Sequence, residues 1–256
     1  MRFKEAILEF GFDCRARKLS DKTISNYQKQ LHYLERYLGA EYGITEVEDV
    51  RSLHLKEFLV SMDEKGRKPR YINDLLKVFK TFFNYLKREA YIRESPAAKV
   101  HNMKQPKVKI ITFSEEEIRK LLNYYQGRSF LNIRNRTMLA LFFDTGMRLT
   151  EVITLQAEQI REDSIIVHGK GNKERLVPVS PYLAKALMQY LMVREAYFDG
   201  KLPERYLFVS KTGKRLTQEG ITKFMKKAAE AVGVNCNVRV SPHTFRHAYL
   251  QRYAGL

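Results

Sequence analysis

The sequence has no long apolar run and few cysteines. Its longest uninterrupted apolar stretch, Met138 to Phe143, is far too short to cross a bilayer. The N-terminal residues MRFKEAILEF carry charged side chains where a signal peptide needs an unbroken apolar stretch. The two cysteines, Cys14 and Cys236, lie far apart and without metal-ligand spacing. We interpret them as reduced thiols of a cytoplasmic protein that has no membrane segment.

Basic residues are in excess along the whole chain. Of 256 residues, 46 are Lys or Arg and 29 are Asp or Glu, which gives a formal net charge of +17. Up to residue 110 there are 23 basic and 15 acidic residues, and 23 and 14 follow, so the excess is not confined to a tail. This distribution is typical of a globular protein that contacts a long polyanion from more than one side. On charge alone, a ribosome-associated protein and a merely soluble basic protein are together an equal alternative.

The first hundred residues predict four helices. Apolar residues recur at three- and four-residue steps over residues 3–15, and again after Ser20, a favoured helix N-cap. We expect Gly39 to end this second helix. A third, short helix is expected to begin near Ser52, and a fourth spans about residues 70–89, with a wide apolar stripe. These residues therefore predict a compact helical domain.

A basic, proline-containing stretch without helical period, VHNMKQPKVKIIT, follows at residues 100–112. It predicts an extended linker on the polyanionic partner. We accordingly divide the chain into a domain at residues 1–103, a linker at 104–112 and a second domain at 113–256.

The second domain is predicted to be helical with a small antiparallel sheet. Ser114 and Glu117 have the spacing of a capping box, and a further helix is expected from about Arg134 to Asp144. Two β-rich runs, SIIVH and RLVPV, are joined by GKGNKE and predict a hairpin. The predicted fold class is therefore mainly α, with a four-helix N-terminal domain and a mixed helical C-terminal domain.

Three segments concentrate polar side chains: TGMRLTEV (145–152), HGKGNKERLVPV (168–179) and SPHTFRHA (241–248). Each alone has a plain structural interpretation, as a helix-ending turn, a solvated hairpin tip or a helix start after proline. Together and in this order they resemble the tyrosine recombinase family, which includes phage integrases and chromosome-dimer-resolving recombinases. Residues 19–39 and 71–97 are similar to the opening and closing helices of that family's core-binding, SAM-like domain.

The resemblance implies a site-specific DNA recombinase or integrase of a mobile element, which acts through a 3′-phosphotyrosyl intermediate without a cofactor. Arg148 and Arg246 correspond to the two arginines that clamp the phosphate, a task that suits a planar, permanently charged guanidinium. His243 would donate to a phosphate oxygen or act as an acid or base. Lys170 would protonate the leaving 5′ oxygen.

Further residues are expected to support this site. Glu151 lies one helical turn after Arg148 and is expected to orient its guanidinium, and His247 is expected to act similarly. No metal is implied, because metal-dependent nucleases need clustered carboxylates and the three segments carry only Glu151 as a candidate ligand. Contacts with the DNA backbone are expected from five basic residues of the linker and hairpin: Lys104, Lys107, Lys109, Lys173 and Arg175.

The family's nucleophilic tyrosine lies well beyond the second arginine, whereas the sequence ends at Leu256. Tyr249 and Tyr253 fall too early and are expected to pack in the core. We therefore expect these residues to lack the nucleophile, and thus to bind DNA without cleaving it. A non-catalytic protein that occupies recombination sites is the alternative, and a metal-dependent nuclease is disfavoured.

The expected partner is a double-stranded recombination site. The resemblance implies a homotetramer on DNA for the intact family enzyme, whereas this chain is expected to be a monomer when free in solution. An accessory directionality factor is a further candidate partner. The expected location is the cytoplasm, with association to the nucleoid when the protein is bound to DNA.

Overall fold

The computed structural model describes residues 1–106, 110–169, 174–201 and 203–253. The chain divides into two compact units, Met1–Val108 and Lys109–Leu256. None of the helices in the described ranges combines the length and apolar character needed to cross a bilayer.

The first unit consists of four α-helices around an aromatic core. Phe82 is fully buried, and its ring centroid lies 5.7 Å from that of Phe3 and 5.5 Å from that of Phe10. These contacts join the first helix to the last, and they confirm the prediction of a four-helix N-terminal domain. The helices are α1 (Phe3–Ala16), α2 (Asp21–Tyr42), α3 (Ser52–Glu64) and α4 (Pro69–Arg88).

The ends of α2 follow its capping residues. Ser20 is the N-cap, as predicted, and its side chain accepts a hydrogen bond from the N–H of Thr23 at 3.3 Å. The prediction that Gly39 ends α2 is wrong, because the helix continues to Tyr42. Gly43 ends it instead, with φ of +66° and its N–H donated to the carbonyl of Gly39 at 3.1 Å. Such a left-handed residue just past the last turn satisfies the carbonyls at the helix end.

The second unit is helical, with one small sheet in its described part. Its central helix is α6, whose side chains are buried on nearly every side, as a helix without a polar face requires. This helix packs against α5, α8 and α10 and begins at Phe130, four residues before the predicted start. The elements are α5 (Glu115–Tyr124), α6 (Phe130–Thr145), α7 (Leu149–Thr154), β1 (Ser164–His168), β2 (Glu174–Pro178), α8 (Pro181–Phe198), α9 (Gln218–Val232) and α10 (Pro242–Tyr253).

Strands β1 and β2 form an antiparallel pair, which confirms the predicted small sheet. In its register, Arg175 lies opposite the buried Val167, and His168 lies opposite Glu174 at the end of the ladder. Because side chains alternate along a strand, Arg175 shares its face with the buried Val177. The sheet therefore turns Arg175 toward the interior of the unit.

Candidate active site

Arg148 is the N-cap of α7 and contacts Glu151 twice. Its backbone N–H donates to Oε2 of Glu151 at 2.8 Å, and its Nη1 donates to Oε1 at 3.0 Å. The side chain of Arg148 is 55% exposed and that of Glu151 only 6% exposed. Glu151 thus holds the guanidinium from the buried side, which is the arrangement expected from their spacing, and leaves it open to a ligand.

Arg175 is a second partner of Glu151. Its Nη1 donates to Oε1 at 3.0 Å and its Nη2 to Oε2 at 2.9 Å, which is the bidentate geometry of strong arginine–carboxylate pairs. From the sequence we expected Arg175 to contact the DNA backbone, and we did not predict its contact with Glu151. The alternation of β2 carried the signal, since Arg175 shares a face with the buried Val177.

The two arginines keep Glu151 ionised. Burial alone would raise the pKa of this carboxyl group, but hydrogen bonds from Arg175 and from the backbone and side chain of Arg148 outweigh burial and lower the pKa to about 2. The carboxylate is therefore charged throughout the physiological pH range. It offsets part of the positive charge that the arginines bring to the site.

We expect the stability of the second unit to fall with pH because of Glu151. The folded pKa lies below the unfolded value of about 4.3, so ionisation contributes stability that is present above pH 4.3 and lost as the pH falls toward 2. The loss should reach roughly 2 kcal/mol by pH 3. Urea unfolding, followed through NMR signals of the second unit, should show this extra loss in the wild type relative to Glu151→Gln. Equal pH dependence of the two proteins would contradict the assignment.

Helix α10 carries His243 and Arg246, and Phe245 fixes the helix to the core. Phe245 is fully buried, and its ring centroid lies 4.6 Å from that of Phe113 and 4.4 Å from that of Phe143 on α6. His243 is exposed at the start of the helix. Residues three apart on a helix are neighbours on its surface, so His243 and Arg246 lie on one side of α10.

Arg246 reaches the end of α6. Its Nη1 donates to the carbonyl oxygen of Gly146, the residue with φ of +55° that ends this helix. Burial lowers the pKa of Arg246, and the positive charge of Arg148 lowers it further, as does that of Arg175. Gly146 lies two residues before Arg148, so the hydrogen bond places Arg246 beside the turn that carries Arg148. Arg148 and Arg246 are the two arginines predicted to clamp a phosphate.

An open cleft of about 800 Å³ lies beside Arg148 and Glu151. It connects Arg148 to the base of the predicted hairpin, at His168 and Glu174, whose Nδ1 and Oε1 atoms are 3.2 Å apart. The cleft is lined by Arg148, Thr150, Glu151, Thr154, His168, Gly169, Glu174 and Arg175.

The remaining predicted residues lie in different parts of the chain. His247 is half-buried on α10, one turn after His243, and Lys104 is exposed in the described part of the predicted linker. Four predicted residues lie outside the described ranges: Lys107, Lys109, Lys170 and Lys173.

Two family models match the chain. The model described as the phage integrase family matches residues 112–254, and that of the phage integrase N-terminal SAM-like domain matches residues 14–90. The chain belongs to the phage integrase family. The first model covers more than half of the chain and includes all three polar segments, so the predicted family is confirmed.

The relatives of this phage integrase family member are tyrosine recombinases. It is 30% identical over 235 residues to the tyrosine recombinase XerD of Halalkalibacterium halodurans, which covers 91% of this chain and 78% of the relative. It is likewise 30% identical over 236 residues to XerC of Bacillus pumilus, with 89% and 75% covered. Both relatives are named for recombination, so the family is one of recombination enzymes.

Solved structures of low sequence identity share the fold. The Tn1549 transposon integrase, solved in complex with circular intermediate DNA, has a TM-score of 0.79 at 18% identity, with 100% of this chain and 87% of that chain covered. A lambda integrase dimer bound to a COC′ core site has a TM-score of 0.74 at 15% identity, with 99% and 90% covered. The predicted fold class is therefore confirmed.

Proposed function

We propose that this chain carries the DNA-binding and phosphate-activating machinery of a site-specific recombinase that works by metal-free phosphoryl transfer through a 3′-phosphotyrosyl intermediate. The observation that supports this most is the hydrogen bond from Arg246 to the carbonyl of Gly146, which places Arg246 beside the turn that carries Arg148, although the two arginines come from distant segments of the chain. Arg148 also lines the open cleft. Two like charges repel, so their proximity favours an anionic ligand between or in front of them. A phosphodiester of DNA is such a ligand.

The geometry explains how the arginines would act. Phosphoryl transfer places extra negative charge on the non-bridging oxygens in the transition state, and fixed donors stabilise it without reorganisation. Arg148 uses one side-chain donor for Glu151, and Arg246 uses one for the carbonyl of Gly146. A guanidinium has five N–H donors, so both retain donors for phosphate oxygens.

Proton transfer is assigned to two further residues. We assign to His243, exposed one turn before Arg246, the role of donor to a phosphate oxygen or of acid and base. Lys170 follows β1 by two residues and is proposed to protonate the leaving 5′ oxygen. Glu151 and His247 are proposed to orient the groups that contact the phosphate.

Double-stranded DNA is the proposed partner. The net charge of +17 supports it, as do the solved complexes of the transposon and lambda integrases with DNA. On DNA we propose a homotetramer of the intact enzyme, an accessory directionality factor and a nucleoid location. The nucleophilic tyrosine is proposed to lie outside these 256 residues. The two predicted domains, at residues 1–103 and 113–256, and the linker between them are all proposed to contact DNA.

Selection from random DNA tests the site-specific function. The chain should enrich one defined sequence from a pool of random duplexes over successive rounds of binding, because base contacts specify a site whereas phosphate contacts only position the protein. Binding should be measured at a fixed salt concentration. If every duplex is retained in a salt-dependent way and no sequence is enriched, the protein binds DNA without sequence specificity and the proposed site-specific function is wrong.

The linker lysines are predicted to contribute to affinity but not to sequence preference. Each neutralised phosphate contributes about −0.9 to the slope of log affinity against log salt. Replacing Lys104, Lys107 and Lys109 by Ala should therefore flatten the slope by up to about 3 while the selected sequence stays the same. An unchanged slope would show that the linker lysines do not contact DNA phosphates. The matched control removes three exposed lysines elsewhere: Lys120, Lys185 and Lys201.

The alternative is a non-catalytic protein that occupies recombination sites. It predicts the same binding and the same salt dependence, so affinity does not separate the two. A suicide DNA substrate separates them once a C-terminal segment with a tyrosine is added, because only a recombinase with its nucleophile in place becomes covalently attached to the nicked strand.

A further inference from the structure

Glu151 is shared unequally between its two arginines. Arg175 contributes two parallel side-chain bonds, whereas Arg148 contributes one side-chain bond and one backbone bond. Each carboxylate oxygen therefore accepts two hydrogen bonds, which fills the roughly four lone-pair sites of a carboxylate. Neither oxygen has room for a second side-chain donor of Arg148.

We propose that Arg175 is a positioning residue, which occupies Glu151 from the β2 side and thereby limits the Arg148 guanidinium to a single bond with this carboxylate. The other donors of Arg148 are then free for a phosphate in the cleft. This inference rests on the proposed function, in which Arg148 contacts the phosphate. It gives Arg175 a different role from the backbone contact that the sequence suggested.

The reason is the need of a buried carboxylate for partners. The Glu151 side chain is 6% exposed, and an ionised group at such a position is costly unless it is fully hydrogen-bonded. Without Arg175, each carboxylate oxygen of Glu151 loses one hydrogen bond. Arg148 already contacts this carboxylate and is therefore the nearest replacement donor. Its planar fork pairs best with a carboxylate through two bonds, so it would rotate onto Glu151 and away from the cleft.

A direct contact of Arg175 with DNA is the competing role. The Arg175 side chain is 38% exposed, so solvent reaches part of it. Both roles predict weaker DNA binding when Arg175 is replaced. The two roles differ in whether the loss of DNA affinity depends on Glu151, because a positioning residue acts through Glu151 and a residue in direct contact with DNA does not.

A double-mutant cycle on DNA affinity separates the roles. Arg175→Gln should weaken binding about ten-fold, the loss typical of one charge-assisted contact. In a Glu151→Gln background the same change should weaken binding no more than Arg119→Gln does, a matched loss of charge from an exposed side chain on α5. An equal loss in both backgrounds, beyond that of the control, would overturn the proposal in favour of direct contact.

A second readout needs no DNA and so stands apart from the proposed function. Side-chain nitrogen NMR of Arg148 reports how firmly its guanidinium is held. In Arg175→Gln, slowed rotation of that guanidinium is expected, because a second bond to Glu151 forms. In Arg175→Lys the rotation rate of the Arg148 guanidinium should lie between those of the wild type and Arg175→Gln, since a lysine provides a positive charge without the two parallel donors of a guanidinium. Unchanged Arg148 signals in folded Arg175→Gln and Arg175→Lys proteins would refute positioning, whereas a wild type that fails to bind DNA would refute only the proposed function.

Discussion

Gly146→Ala is expected to destabilise the second unit by about 3 kcal/mol, through backbone strain and overpacking together. Gly146 has φ of +55°, where a side chain costs roughly 1–2 kcal/mol. A Cβ added at Gly146 would also overlap the ring of Tyr249 on α10, because the three heavy atoms nearest to that Cβ all belong to this ring. Overpacking of this kind costs typically about 1–3 kcal/mol.

The same substitution should impair the site, because the carbonyl of Gly146 accepts from Arg246. Displacing α10 to make room for a methyl group moves Arg246 away from this carbonyl. Gly233→Ala is the matched control, since Gly233 has φ of +71° but an added Cβ would meet nothing within 4 Å. It should cost only about 1 kcal/mol. Equal destabilisation of the two variants, measured by urea unfolding of the second unit, would show that the approach of Tyr249 contributes nothing.

Local signals in the sequence were sufficient for most of the helix and strand positions. Ser20 and Ser114 both act as helix caps as predicted, because capping depends only on residues three positions away. Gly39 and Gly43 show the limit of such signals. Either glycine is able to end a helix, and the choice depends on which one adopts the left-handed conformation in the folded unit.

The candidate site was accessible from sequence only in part. Spacing related Glu151 to Arg148, because both belong to one helical turn. Resemblance to a family, and not spacing, related Arg148 to Arg246, because the packing of α10 on α6 is what places Arg246 beside the turn that carries Arg148. The contact of Arg175 with Glu151 depends on where the sheet packs. Strand alternation predicts that Arg175 points inward but does not predict which residue it meets.

The 256-residue chain is expected to bind its DNA site without becoming covalently attached to it. Covalent phosphoryl transfer needs an activated side-chain nucleophile, and the arginines, His243 and Lys170 are proposed to stabilise charge and move protons instead. Tyr249 packs its ring against Gly146, at the end of α6. A nicked suicide substrate, analysed on a denaturing gel, should therefore show no protein–DNA adduct.

Adding a tyrosine-bearing segment should give the covalent reaction. A C-terminal segment with a histidine and a tyrosine, taken from a related tyrosine recombinase, should give an adduct on the same substrate. Arg148→Ala in that extended protein should then lower the cleavage rate by about 100- to 1,000-fold, as the removal of one fixed donor to a developing negative charge does in other enzymes. Replacing the added tyrosine by Phe is the control that must abolish the adduct. An adduct formed by the 256-residue chain itself would contradict the proposal, and Tyr249→Phe and Tyr253→Phe would then identify which tyrosine attacks.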